Sequence, residues 1–181
     1  DTVTEELLDA MVSIPKVAPY LDLPLQHINA RMLKKMNRRG TPEHIKKLIE
    51  ACHERGIITR TTMIVGFPGE TREEFEELLA FIKEAKFERL GAFTYSPEEG
   101  TAAAVMDDQI DEEEKQCRLD ELMMMQQHIS MAANEARIGE VFSAMIAGVA
   151  TYGLYVKLEN TAEGLVDIRD LGNEYFALDP I

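Results

Sequence analysis

The stretch Thr61-Thr62-Met63-Ile64-Val65-Gly66-Phe67-Pro68-Gly69-Glu70-Thr71 gathers the residue types from which a small-molecule site can be made. Gly66, Pro68 and Gly69 break an apolar run, and glycine permits positive φ and close approach of a ligand to the backbone. Thr71 with Glu74 reads as a capping box that opens a helix. Amides at such a helix end can hold a carboxylate or a phosphate, and α/β folds place ligands at the carboxyl ends of their strands. An ordinary strand-to-helix turn has the same pattern, and both readings stand on the residues alone.

Other reactive side chains are sparse. Gln26 and His27 fall just past a short apolar run, where the loops of a βα barrel carry ligand-binding groups. Acid–base use of His27 needs a partner that spacing does not locate, and a structural role is the alternative. Arg31, Lys34 and Lys35 form one basic cluster in an acidic chain, facing either an anionic substrate or solvent. Cys52 and Cys117 match no metal-ligand spacing and fit reduced thiols in a cytoplasmic protein. No catalytic residue and no metal ligand is assigned.

The elements that must position these groups follow from periodicity. Thr2-x-x-Glu5 is a capping pattern before Leu7, Leu8, Met11 and Val12, and Pro15 ends that helix. Pro19 to Leu23 reads as a short strand stopped by Pro24, followed by a basic helix from Ala30 to Met36. Thr41-Pro42 supplies an N-cap and an N1 proline for a helix ended by Gly56. The run through Met63-Ile64-Val65 suits a strand covered on both faces. The next helix buries Phe75, Leu78, Leu79 and Ile82 and exposes Glu73, Glu74, Glu76 and Glu77. A third strand is expected over Leu90–Tyr95. Asp111-x-x-Glu114 heads a long helix, whose Met123-Met124-Met125 run reads as adaptable core packing. Strands alternating with helices argue for consecutive βα units and a parallel sheet. From about Ile138 the pattern changes to alternation over Val141–Val149, Tyr152–Leu158 and Gly164–Ile168, which is antiparallel β. A boundary near Arg137 therefore separates residues 1–137 from 138–181.

The chain has 181 residues, of which 45% are apolar, enough for a real core. Its net charge of −14, from 33 acidic and 19 basic residues, disfavours non-specific nucleic-acid binding, which needs Lys and Arg against phosphate. No 18-residue apolar run or secretion signal is present, which argues against a membrane partner and for a cytoplasmic location. The start at Asp1 rather than Met points to a piece of a longer protein.

Three ordered motifs resemble the later part of a radical S-adenosylmethionine methylthiotransferase: Pro19-Tyr20-Leu21-Asp22-Leu23-Pro24-Leu25-Gln26-His27, Ile64 through Thr71, and Gly91 through Thr101. Met106-Asp107-Asp108-Gln109 and the methionine-rich helix after it extend the likeness. The tRNA-modifying, MiaB-like branch typically has Gln-Ser-Gly-Ser at Gln26-His27 and Tyr-Ser-Pro-Arg-Pro-Gly-Thr at Tyr95–Thr101. The glutamates Glu98 and Glu99 instead resemble the RimO-like branch, whose substrate is an aspartate of ribosomal protein S-twelve. Replacing arginine by glutamate suits a basic protein better than a tRNA backbone.

The resemblance implies later βα units of an open TIM-like barrel, with S-adenosylmethionine and 4Fe-4S clusters as cofactors. It implies cofactor contacts at Gln26, His27, Gly66, Pro68, Gly69, Glu70 and Tyr95. The family holds its clusters on cysteines, including a Cys-x-x-x-Cys-x-x-Cys motif, which this chain lacks. The isolated chain is therefore expected to be inactive.

Residues 138–180 resemble a truncated S-one-type OB segment of the kind found in RNase R, standing where the family carries its TRAM barrel. The matching residues are Gly148–Leu158, Glu163–Ile168 and Gly172-Asn173-Glu174-Tyr175-Phe176. Tyr152 and Tyr155 are candidate RNA or substrate contacts, since OB folds stack bases on aromatic rings. Only Lys157 and Arg169 oppose seven acidic residues there, which disfavours RNA. The alternative functions are a non-catalytic module that binds RNA or a ribosomal protein, and a tRNA methylthiotransferase of the MiaB-like branch.

Overall fold

The computed structural model describes residues 3–135, 140–141, 143–150, 152–158 and 163–171. The chain forms two compact units, residues 1–136 and 137–181. Among the described residues no helix is long and apolar enough to cross a membrane.

In the first unit a three-stranded parallel sheet has the order β1 (Tyr20–Gln26), β2 (Ile58–Val65), β3 (Arg89–Thr94). Helices α1 (Glu5–Ser13), α2 (Ala30–Lys35), α3 (Pro42–Glu54), α4 (Arg72–Ala85) and α5 (Glu112–Glu135) complete the unit. This is a run of βα units, and the described residues form no closed barrel. Thr59, Thr61, Met63 and Val65 of β2 are buried, while Arg60 is exposed and Thr62 and Ile64 are half-buried. The expectation of a strand covered on both faces is thus not met among the described residues, where one face of β2 is buried and the other is half-buried or exposed. The core joins Met63 and Val65 to Phe75, Leu78 and Ile82 of α4, Phe87, and Leu122 of α5. Each such side chain, fully buried, contributes about 2 kcal/mol.

The caps explain the helix starts and correct two of the expected boundaries. Thr41 accepts the His44 amide, with Pro42 at the first position of α3. Thr71 and Glu74 make both halves of the capping box of α4. Thr4, rather than Thr2, caps α1 by accepting the Leu7 amide. Strand β1 runs through Pro24 to Gln26 instead of stopping, with a register shift between Leu23 and Gln26. Proline is tolerated there because β1 is an edge strand and the shift removes the ladder bond its nitrogen cannot make. The methionine run also differs from expectation. Met125 packs against the core, but Met123 and Met124 are exposed at 40% and 59%.

In the second unit β4 (Ala144–Ala150), β5 (Gly153–Leu158) and β6 (Glu163–Asp167) form an antiparallel sheet in that order. The first strand begins three residues later than the expected Val141. Ile168 belongs to a short 3-10 turn, Ile168–Asp170, and not to a strand. The expected Gly172–Phe176 match lies outside the described residues.

Candidate functional site

The backbone between β2 and α4 is held at most of its peptide groups. Gly66 and Gly69 have φ of +71° and +73°, which their lack of a Cβ makes inexpensive. Following each peptide group in turn shows how the segment is held, since buried backbone polar groups require partners. The Val65 carbonyl accepts the Tyr95 amide at 2.8 Å, and the Gly66 amide donates to Glu70 Oε2 at 2.9 Å. The Pro68 carbonyl accepts Lys35 Nζ at 3.0 Å, and the Gly69 amide donates to the Asp108 carbonyl at 2.7 Å. The Gly69 carbonyl accepts Arg31 Nη2 at 2.6 Å, and the Glu70 amide donates to the Phe67 carbonyl at 2.9 Å. The Glu70 carbonyl accepts Arg118 Nη1 at 2.9 Å, and the Thr71 amide donates to Glu74 Oε2 at 2.9 Å. Three consecutive carbonyls, of Pro68, Gly69 and Glu70, thus each receive a cation. The peptide joining Gly66 to Phe67 is different. Its carbonyl and its amide have no partner among the described residues, although both residues are buried.

A buried ionic group lies behind the turn. Glu70 Oε1 meets His27 Nε2 at 3.1 Å and Glu70 Oε2 meets Arg118 Nη1 at 2.6 Å. The side chains of His27 and Glu70 are fully buried. His27 Nδ1 accepts the Asn29 amide at 3.0 Å, so a neutral ring carries its proton on Nε2 and donates it to Glu70. The partner that His27 lacked in the sequence is therefore Glu70, itself among the expected contacts. Their mutual saturation makes them a brace for the turn.

The basic cluster also finds its role here. Arg31 makes a bidentate pair with Glu74, at 2.6 and 2.5 Å, and Lys35 pairs with Asp108 at 2.6 Å. These cations hold the Glu74 and Asp108 carboxyls below the usual carboxylate range. Glu74, expected to be exposed, is half-buried for this reason. The helix-end amides of Thr71 and Glu74 are taken up by the capping box.

Two positioning side chains were missed from sequence, Lys115 and Arg118 of α5. Lys115 is 2% exposed. Its stem lies so close to Gly66 that a Cβ there would sit 2.3 Å from Lys115 Cγ. Its ammonium pairs with Glu112 at 2.6 Å and lies 5.4 Å from the centre of the Tyr95 ring. Arg118 Nε also pairs with Glu114 at 2.7 Å. The signal available was helical spacing, because residues 115, 118, 122, 126 and 129 fall on one face of the helix.

Tyr95 packs edge-on against Phe67, with ring centres 5.0 Å apart, and its buried hydroxyl has no partner among the described residues. Gln26 is half-buried with φ of +68°, a conformation that costs a residue with a side chain about 1 kcal/mol or more. Gln26, His27, Pro68, Gly69 and Glu70 thus cluster around the C-terminal ends of β1 and β2. In the second unit the Tyr152 and Tyr155 hydroxyls are 2.7 Å apart and their exposed rings meet edge-on at 6.3 Å.

The orphaned Gly66–Phe67 peptide and Tyr95 hydroxyl fit a polar organic ligand such as S-adenosylmethionine. An iron–sulfur cluster does not fit. Cys52 is fully buried and Cys117 exposed, and no group of three or more His, Cys, Asp or Glu side chains among the described residues is placed to hold a metal.

Residues 1–82 match the Radical SAM superfamily profile. The ribosomal protein uS12 methylthiotransferase RimO of Pelotomaculum thermopropionicum is 48% identical over 153 residues, covering 83% of this chain and 34% of that protein. The protein of the same name from Clostridium botulinum is 45% identical over 151 residues, covering 82% and 34%. The chain therefore spans about a third of the length of the curated relatives it matches. Among solved structures, coproporphyrinogen III oxidase (HemN) of Escherichia coli superposes with a TM-score of 0.61 at 24% identity, over 71% of this chain and 30% of that one. Elp3 of Methanocaldococcus infernus superposes at 0.53 with 12% identity, over 92% and 51%. These two likenesses concern the fold. Residues 1–82 thus carry the Radical SAM superfamily pattern, and most of the chain is similar to about a third of the uS12 methylthiotransferases named RimO.

Proposed function

We propose that this chain supplies one wall of the S-adenosylmethionine pocket of a methylthiotransferase that modifies an aspartate of ribosomal protein S-twelve. The observation that carries the reading is the Gly66–Phe67 peptide, unpaired and buried inside a turn whose other polar groups are satisfied. Buried unpaired backbone groups are rare and call for a ligand or water. In this reading the Gly66 carbonyl, the Phe67 amide, Gln26 and Tyr95 touch the ligand, while His27, Pro68, Gly69 and Glu70 fix the shape of the wall. Bound S-adenosylmethionine supplies a 5′-deoxyadenosyl radical in this family. The side chains here bind and orient; the cluster thiolates belong to residues outside this chain.

The names of the relatives favour the S-twelve branch over the tRNA branch, and a ribosomal substrate supports the reading of a cytoplasmic protein. The isolated chain is inactive on this reading, because two cysteines cannot provide three thiolates. Joining residues 1–137 to the part of the Pelotomaculum relative that precedes its match to this chain, then reconstituting it with iron and sulfide without oxygen, tests the proposal. Deoxyadenosine formation and methylthiolation of S-twelve are expected. Intact cluster absorbance without deoxyadenosine would sink it.

The antiparallel sheet of residues 144–167 is proposed to be OB-like, with Tyr152 and Tyr155 as a contact surface for ribosomal protein or RNA. Titration with single-stranded RNA at low salt distinguishes the two, and the acidic charge predicts no RNA binding.

A further inference from the structure

We propose that Lys115 and Arg118 of α5 are positioning residues that set the ligand-binding shape of the Gly66–Glu70 turn. The inference rests on the reading of that turn as a pocket wall and adds what holds it. Arg118 fastens the side chain and the main chain of Glu70 with one nitrogen, at 2.6 and 2.9 Å. Glu70 in turn accepts the Gly66 amide, so Arg118 is linked through one carboxylate to the peptide group preceding the unpaired one. Lys115 acts on the same point by volume. Its nearly buried stem fills the space that a side chain on Gly66 would need, with Cβ, Cγ and Cδ all within 3.2 Å of that position.

The two residues work by different physics. Arg118 acts through charge and fork geometry, which lysine reproduces only in part. Lys115 acts through its aliphatic stem, which methionine can replace, while its charge is met by Glu112 at the solvent side. A role in overall stability alone would make Lys115→Met and Lys115→Ala differ in unfolding midpoint only. A positioning role makes them differ at the turn.

The test uses the 181-residue chain and four variants, Lys115→Ala, Lys115→Met, Arg118→Met and Arg118→Lys. Amide hydrogen exchange at Gly66, Gly69 and Glu70 is compared with that at Thr61 and Met63 of β2, and each protein is titrated with S-adenosylmethionine by NMR. Lys115→Ala and Arg118→Met are expected to speed exchange at the turn about tenfold more than in β2. They should also weaken S-adenosylmethionine about tenfold. Lys115→Met should stay near wild type and Arg118→Lys should fall between.

Equal acceleration at the turn and in β2, or Lys115→Met behaving as Lys115→Ala, overturns the positioning role. If the wild-type chain does not bind S-adenosylmethionine, the ligand reading of the isolated wall fails, and the exchange data still decide the positioning claim. If a variant does not fold, the remaining three carry the comparison.

Discussion

A single guanidinium nitrogen, Nη1 of Arg118, donates to both the carboxylate and the carbonyl of Glu70, at 2.6 and 2.9 Å. The carboxylate is shared with His27 and with the Gly66 amide, all away from water. Removing one member of such a group leaves a buried charge without its partner. Glu70→Ala is expected to destabilise the first unit by about 3 kcal/mol, and Glu70→Gln by less, because the amide oxygen can still accept one donor. Urea unfolding followed by circular dichroism measures both. Equal effects of the two variants would show that shape, and not charge, holds the turn.

Gly66 and Gly91 make a controlled pair. A Cβ on Gly66 meets Lys115 Cγ at 2.3 Å and demands positive φ, whereas one on Gly91 meets nothing within 4 Å. Gly66→Ala is expected to cost about 2 kcal/mol and Gly91→Ala to stay within about 0.5 kcal/mol. Adding Lys115→Ala to Gly66→Ala should recover only part of the loss, since the contact is relieved but the backbone strain is not. A double-mutant cycle in thermal unfolding separates the two contributions.

The Arg31–Glu74 and Lys35–Asp108 pairs give the turn an acid limit. Both carboxyls have folded-state pKa values below their ordinary ones, chiefly through the hydrogen bonds from Arg31 and Lys35. A depressed folded pKa adds stability above the ordinary carboxylate range, and that stability is lost as pH falls through the folded value. The turn should therefore keep its neutral-pH NMR shifts to below about pH 4 and change only under stronger acid. Arg31→Met should move the change upward. Turn shifts that follow an ordinary carboxylate titration would count against the clamps.

Gln26 holds φ of +68° at the end of β1. Gln26→Gly is expected to stabilise the chain by about 0.5 to 1 kcal/mol if the side chain makes no compensating contact. Higher stability with weaker S-adenosylmethionine binding is the signature expected of a strained ligand contact, and both are read from one set of thermal and titration curves.

The parts visible in the sequence are those governed by local rules. Thr41-Pro42 and Thr71 with Glu74 announce α3 and α4 because a cap and its partner are within three residues. The βα order follows from alternation of apolar period. The parts that escaped depend on distant pairing. Pro24 read as a strand end, yet an edge position and a register shift accommodate it. Arg31 and Lys35 read equally as solvated charges, because their acceptors, the Pro68 and Gly69 carbonyls, are more than thirty residues away. Lys115 and Arg118 were not singled out, although they continue the face that Leu122 and Gln126 bury. Exposure of Met123 and Met124 was equally hidden, since a run of three methionines does not say which one faces inward.

The fastening of Glu70 by a residue 48 positions downstream orders events during synthesis. Strand β2 and the capped start of α4 can form as they emerge, from local contacts. The Gly66–Glu70 backbone gains its last two holds only once α5 has been made and has closed that long loop, an entropic step that local structure does not help. The turn is consequently among the last parts of the first unit to mature, and any pause in translation before α5 would leave a nascent chain with a formed sheet and an unset turn.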